Sequence, residues 1–313
     1  LQSAMMNEFL KPYQERAESA LTATLDETGV PQDLQETIHY AVLGGGKRLR
    51  AAFVYLTCEA LKVDLTLADS SAAAVELMHA YSLIHDDLPA MDNDLMRRGQ
   101  PTVHVKYGEA MAILAGDALQ AGAFQSIAAD ELLSSKSRTQ LINALAVAAG
   151  RKGMVAGQVL DMHHETVKAS EQQLTAMHRA KTGALIEFSM ISAGIIAQID
   201  DDTRERLRRF GEIIGLAFQV RDDILDEIGD SATLGKQVEV ATLPIVKTAK
   251  EIGNLSDLGT GIMLWANIPI MLLFGFGPVV GLVASAIYAI PPMVRNVMLA
   301  LSRVPDEIVE SGE

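Results

Sequence analysis

Apolar residues along the first two thirds of the chain recur at helical spacing. The pattern predicts helices over residues 7–27, 33–43, 50–62, 68–88, 109–131, 138–149, 152–166, 171–198 and 202–228. No stretch shows the alternation that marks a half-buried strand. Two runs, AAAVELMHAYSLIH and LAGDALQAGAFQSIA, are apolar on most faces, as helices enclosed in a bundle are. Breaks fall at Gly29-Val30-Pro31, Gly44-Gly45-Gly46, Gly99-Gln100-Pro101 and Gly150, each a turn signal between helical runs. The expectation is an all-α bundle without internal repeats.

The pattern changes after about Gln237. From Leu258 to Val294 there is no Asp, Glu, Lys or Arg, and Pro269, Gly275, Gly277 and Pro278 divide the segment into apolar pieces near 258–276 and 279–294. Each is close to membrane-spanning length, so the segment reads as a transmembrane hairpin; the plainer alternative is a pair of buried core helices. The predicted division is therefore 1–237 and 238–313.

Composition narrows the function. The formal net charge of −14 argues against a nucleic-acid partner, because phosphate backbones need a basic surface. Cys58 is the only cysteine, so no intrachain disulfide can form, and its apolar neighbours Leu56, Ala60 and Leu61 point to packing. A cytoplasmic setting suits that usage, and the N-terminal residues lack the pattern of a signal peptide. The chain opens on Leu1, and residues 1–4 read as a remnant ahead of Met5 or Met6.

Against this background two acidic motifs stand out, DDLPAMD at 86–92 and DDILD at 222–226. Asp222 and Asp226 are four residues apart, which puts both on one helix face about 6 Å apart along the axis, while Asp223 points elsewhere. Asp86 and Asp92 are six apart and cannot align on a regular helix. Pro89 resolves this: it lacks an N–H and disfavours helix at Leu88, so the chain leaves the helix and Asp92 swings back toward Asp86. Carboxylates packed together repel unless a cation compensates, and magnesium typically bridges such groups to a substrate's phosphates. Asp86, Asp87, Asp92, Asp222, Asp223 and Asp226 are the candidate metal ligands.

Basic residues recur beside the acids. GGGKRLR at 44–50 places Lys47, Arg48 and Arg50 after a flexible turn that opens a helix, where backbone N–H groups and side chains can face an anion. Arg97 and Arg98 follow the first motif, with Lys181 and Lys236 further on.

GGKRLR at 45–50, ELMHAYSLIHDDLPAMD at 76–92, RRG at 97–99, GDAL at 116–119, GQVLDM at 157–162, KTG at 181–183, FQVRDDILD at 218–226 and GDSATLGK at 229–236 occur in order, and over about residues 7–237 the sequence resembles the polyprenyl synthetase family. The resemblance implies an isoprenoid-synthase-type helical bundle around a central cavity. It also implies condensation of dimethylallyl or geranyl diphosphate with isopentenyl diphosphate, and a homodimer. Asp86 and Asp92 would bind two Mg2+ ions on the allylic diphosphate and Asp222 a third, with Arg97, Lys181 and Lys236 on the same diphosphate. Lys47, Arg50, His79 and Arg98 would bind isopentenyl diphosphate, and Thr182 and Gln219 would lie beside the reacting carbons. His85, His163, His164 and His178 receive no role. Tyr81, five residues before Asp86 and about 7.5 Å deeper at helical rise, would be the floor that stops the growing tail at farnesyl diphosphate.

After Lys236 the sequence departs from that family. Residues from about 240 resemble part of a glycine betaine/proline ABC-transporter permease, as a genuine fusion or a chimeric reading frame would produce. A real join predicts membrane association of the last segment. The competing expectations are a class I terpene cyclase on the same fold and an inactive membrane-associated fragment.

Overall fold

The structure, a computed structural model, describes residues 2–164, 167, 169–212 and 214–215. Asn7–Leu216 forms one compact unit; of the second, Leu1–Met6 with Ala217–Glu313, only the helical residues 2–6 are described. The expected hairpin at 258–294 and the motif at 222–226 lie outside the described residues. Among these, no helix is long and apolar enough to cross a membrane.

Among the described residues the named α-helices are, in order, α1 (Gln2–Leu25), α2 (Gln32–Leu43), α3 (Leu49–Ala60), α4 (Asp69–Asp86), α5 (Val103–Tyr107), α6 (Glu109–Ala128), α7 (Ser135–Ala149), α8 (Met154–His164), α9 (Glu171–His178) and α10 (Ala184–Ile196). Further helical residues run over 201–212. α4 is the axis of the bundle. Every residue from Ser71 to Met78 is buried, because α4 packs against α6, α3 and α10 together. Small side chains allow this: Ala72, Ala73 and Ala74 of α4 are enclosed, as are Ala112, Ala115, Gly116 and Ala123 of α6. Burial on this scale, with Leu77, Met78, Leu119, Leu141, Leu145 and Phe188 almost fully enclosed, supplies the hydrophobic stabilisation. Cys58 is among the buried residues, and burial pushes its thiol up to about 12, as expected of a packing residue.

Three features differ from the expected pattern. The helix predicted over 171–198 is interrupted by a π turn at Arg179–Gly183. The run predicted over 68–88 stops at Asp86. A hairpin pairs Met96–Arg97 with Gln100–Pro101, too short for an alternating pattern to register. Its turn residues Arg98 and Gly99 both have positive φ, 52° and 76°, which matches the twist of a two-residue hairpin.

Candidate active site

The site is built on the C-terminal end of α4. Past Asp86 the chain turns at Pro89, and the Asp92 N–H donates to the Asp86 carbonyl at 2.9 Å. The expected return of Asp92 toward Asp86 is thus made through the backbone. Burial raises the Asp86 carboxyl to about 6, with Asp92 and Asp87 adding repulsion and Lys181 and Arg97 opposing it. Burial also raises Asp92, with Asp94 and Asp161 adding to it and Lys181 again opposing. Burial and repulsion make the ionised form of both carboxyls costly, and a divalent cation bound there would relieve both.

Asp87 does not join this pair. It is 2% exposed and faces Arg97, whose Nε lies 2.9 and 3.0 Å from its two oxygens and whose Nη2 lies 2.6 Å from Oδ1. The pair ties the hairpin back to the end of α4. Arg97, expected on the allylic diphosphate, is thereby committed in part to a protein carboxylate, and it also lies 3.7 Å from Asp94. Among the described residues no cluster of three acidic, His or Cys side chains stands ready to hold a metal, since Asp87 is turned away and Asp222, Asp223 and Asp226 lie outside them.

Opposite the acids stands Lys181, in the π turn. A π turn carries one extra residue per turn, and such turns recur at functional sites. Here it closes onto α8: a Cβ on Gly157 would lie 2.1 Å from the Lys181 nitrogen and 2.4 Å from its Cα, so only glycine permits the approach. The Lys181 ammonium pairs with Asp161 of α8 and acts electrostatically on Asp86 and Asp92. Asp161 was overlooked in the sequence, although it falls inside GQVLDM; no spacing connects it to a lysine twenty residues on. Thr182 follows Lys181 in the same π turn, partly buried.

The second cationic group lies further back along α4. His79 is partly buried, and burial together with Arg50, Arg98, Arg97 and Arg48 pushes its imidazole well below the usual range, so it is neutral. Arg50 lies in the first turn of α3 and Lys47 is exposed just before it. Arg98 bonds to the Gly45 carbonyl, which joins the hairpin turn to the glycine loop. Arg48 corrects the expectation for GGGKRLR. It is 5% exposed and points inward: its Nε meets Glu18 at 2.6 Å, its Nη2 meets the Val42 carbonyl, and its Nη1 lies 3.6 Å from Glu76. Glu76 in turn accepts from the Ala51 N–H at 3.1 Å. Arg48 therefore braces the loop, and Lys47, Arg50 and Arg98 are the remaining cations of this group. Gln219 and Lys236 lie outside the described residues.

Tyr81, 7% exposed, lies on α4 one turn before His85 and faces α6, where the Gln120 side chain meets its hydroxyl.

A helical bundle whose central helix ends in converging carboxylates, faced by a lysine and backed by arginines, is suited to metal-assisted chemistry on diphosphates. The chain belongs to the polyprenyl synthetase family, whose sequence profile matches residues 31–251, past the boundary expected at 237. It is 49% identical over 208 residues to the farnesyl diphosphate synthase of Haemophilus influenzae, covering 66% of this chain and 70% of that protein. To the farnesyl diphosphate synthase of Escherichia coli it is 50% identical over 206 residues, covering 64% and 69%. A crystal structure of a geranyltransferase from Legionella pneumophila superposes with a TM-score of 0.76 at 35% identity, covering 87% of this chain and 97% of that one.

Proposed function

We propose that this chain joins dimethylallyl or geranyl diphosphate head to tail with isopentenyl diphosphate to give farnesyl diphosphate. The observation that supports this is two groups of charged side chains at different levels of one helix, an acidic one that a metal ion could bridge to a diphosphate and a cationic one. Asp86 and Asp92, with Lys181, sit at the end of α4. His79, with Arg50 and Arg98, sits seven residues back, about 10 Å along the axis. Elongation needs two diphosphates held apart, whereas ionisation of a single substrate needs one.

Asp86 and Asp92, and Asp222 with Asp223 and Asp226 from the second motif, would hold Mg2+, three ions in all. When bound, Mg2+ neutralises charge on the departing diphosphate. Lys181, Arg97 and Lys236 orient the same diphosphate, so the allylic C–O bond breaks with its electron pair on the leaving group. Lys47, Arg50, Arg98 and neutral His79 hold isopentenyl diphosphate with its double bond toward the allylic carbon. Thr182 and Gln219 offer lone pairs to the developing cation. The new C–C bond forms from that double bond, and the released diphosphate takes the proton. Apolar helices exclude the water that would quench the cation, and Tyr81 closes the far end of the pocket.

We place this activity in residues 1–237 and in the cytoplasm. We further propose a homodimer, which would bury the apolar side chains of Ile113 and Leu114 on α6, 45% and 56% exposed in the single chain. The two-level arrangement is tested kinetically. Arg50→Gln should raise KM for isopentenyl diphosphate about 10- to 100-fold, the value of one charge-assisted hydrogen bond, with little effect on the allylic KM. Asp86→Asn should lower kcat instead. Equal effects of Arg50→Gln on both substrates would contradict two separate anion sites.

A further inference from the structure

His85 is held by contacts that the reaction above does not use. It lies next to Asp86 and one turn beyond Tyr81. Its ring meets the Tyr81 ring edge to face, centroids 5.4 Å apart and planes 86° apart. Its Nε2 lies 3.1 Å from the Ile113 carbonyl oxygen of α6, a contact that requires an N–H on that nitrogen. Gly116, in the same turn of α6, makes the seat: a Cβ there would lie 2.1 Å from Nε2, 2.5 Å from Cδ2 and 2.9 Å from Cε1. No larger residue could occupy position 116 with the imidazole where it is. The ring is therefore wedged between α6 and Tyr81.

We infer that His85, seated on Gly116, is a positioning residue that sets product length by holding the Tyr81 ring across the pocket. The inference rests on the reading of Tyr81 as the floor. An edge-to-face contact shifts the preference between two ring orientations by about two- to tenfold. The same factor should pass into the ratio of twenty- to fifteen-carbon products, because a tilted ring opens room for one further isoprene unit. The Gln120 contact to the Tyr81 hydroxyl remains and keeps the effect smaller than deletion of the tyrosine.

The test uses the full chain with geranyl diphosphate, isopentenyl diphosphate and Mg2+, reading the product-length ratio by chromatography. A ratio is insensitive to any overall rate lost through the proximity of Asp86. His85→Ala and Gly116→Ala, the second keeping the imidazole but unseating it, should each raise the ratio about two- to tenfold. Tyr81→Ala should raise it further, and the Tyr81→Ala/His85→Ala double variant should match Tyr81→Ala alone. His85→Phe, which keeps an aromatic edge against Tyr81, should return the ratio toward that of the parent. If Tyr81→Ala lengthens the product while His85→Ala and Gly116→Ala leave it unchanged, His85 has no part in length control. An additive double variant would equally overturn action through Tyr81. If Tyr81→Ala itself has no effect, the floor reading falls and this inference falls with it.

Discussion

Replacing Arg97 by methionine separates its hold on Asp87 from its proposed hold on substrate. The Asp87 side chain is 3% exposed and that of Arg97 34%. Three N···O contacts of 2.6 to 3.0 Å join them. Removing one partner of a buried ion pair costs about 3–5 kcal/mol, mainly because the remaining charge is left desolvated. A third of Arg97 is open to water, which can enter to solvate Asp87, so we expect a loss of about 2–3 kcal/mol. At about 2–4 °C per kcal/mol for a unit of this size, the melting temperature should fall by about 5–10 °C. Asp87→Asn/Arg97→Met removes both charges and should recover about half the loss, giving a coupling energy of at least 1 kcal/mol in a double-mutant cycle. Urea unfolding followed by circular dichroism reads these values. A loss below about 0.5 kcal/mol for Arg97→Met, or simple additivity, would refute the buried pair as the tie between hairpin and α4. If the double variant is stable yet poorly active, Arg97 also serves the diphosphate.

Arg48→Met should cost about 3–5 kcal/mol, since it strands Glu76 in the interior, while leaving KM for isopentenyl diphosphate within about twofold; a large KM change would return Arg48 to the substrate site. Gly157→Ala should lose at least about 1–3 kcal/mol and depress kcat, because its Cβ would displace the backbone at Lys181; an unchanged melting temperature and rate would mean that α8 moves freely there. Burial, with repulsion from Glu212, raises the Glu187 carboxyl to about 7 from 4.5. Its protonation favours the folded state, so the contribution is full below about pH 4.5 and is lost as pH rises through about 7. Glu187→Gln should therefore gain about 1–2 kcal/mol over the parent at pH 8 and nothing at pH 4.5, measured as urea midpoints; a gain that is the same at both pH values would exclude this titration as its source.

What the sequence disclosed and what it hid divide along physical lines. That the chain leaves α4 before Asp92 was legible, though not the stop at Asp86 itself, because proline acts locally: Pro89 forbids continuation, and the N–H of Asp92 finds the Asp86 carbonyl. The helical periods were legible because burial sets them. The partner of Arg48 was not, since Glu18 and Glu76 come from distant parts of the chain and nothing in GGGKRLR tells an inward arginine from an outward one. Neither was the π turn at Lys181, which depends on the close approach allowed by Gly157. His85 looked ordinary for a similar reason: its seat on Gly116 exists only once α4 and α6 are packed. Asp87 belonged by spacing with the metal ligands, and only the fold turns it toward Arg97.

The most direct measurement is a condensation assay on the purified full chain with geranyl diphosphate, isopentenyl diphosphate and Mg2+, analysing both consumption and products. We expect isopentenyl diphosphate to be consumed one for one with geranyl diphosphate, farnesyl diphosphate to form, and chelation of the metal to stop both. No consumption of isopentenyl diphosphate, or a hydrocarbon formed from geranyl diphosphate alone, would contradict chain elongation.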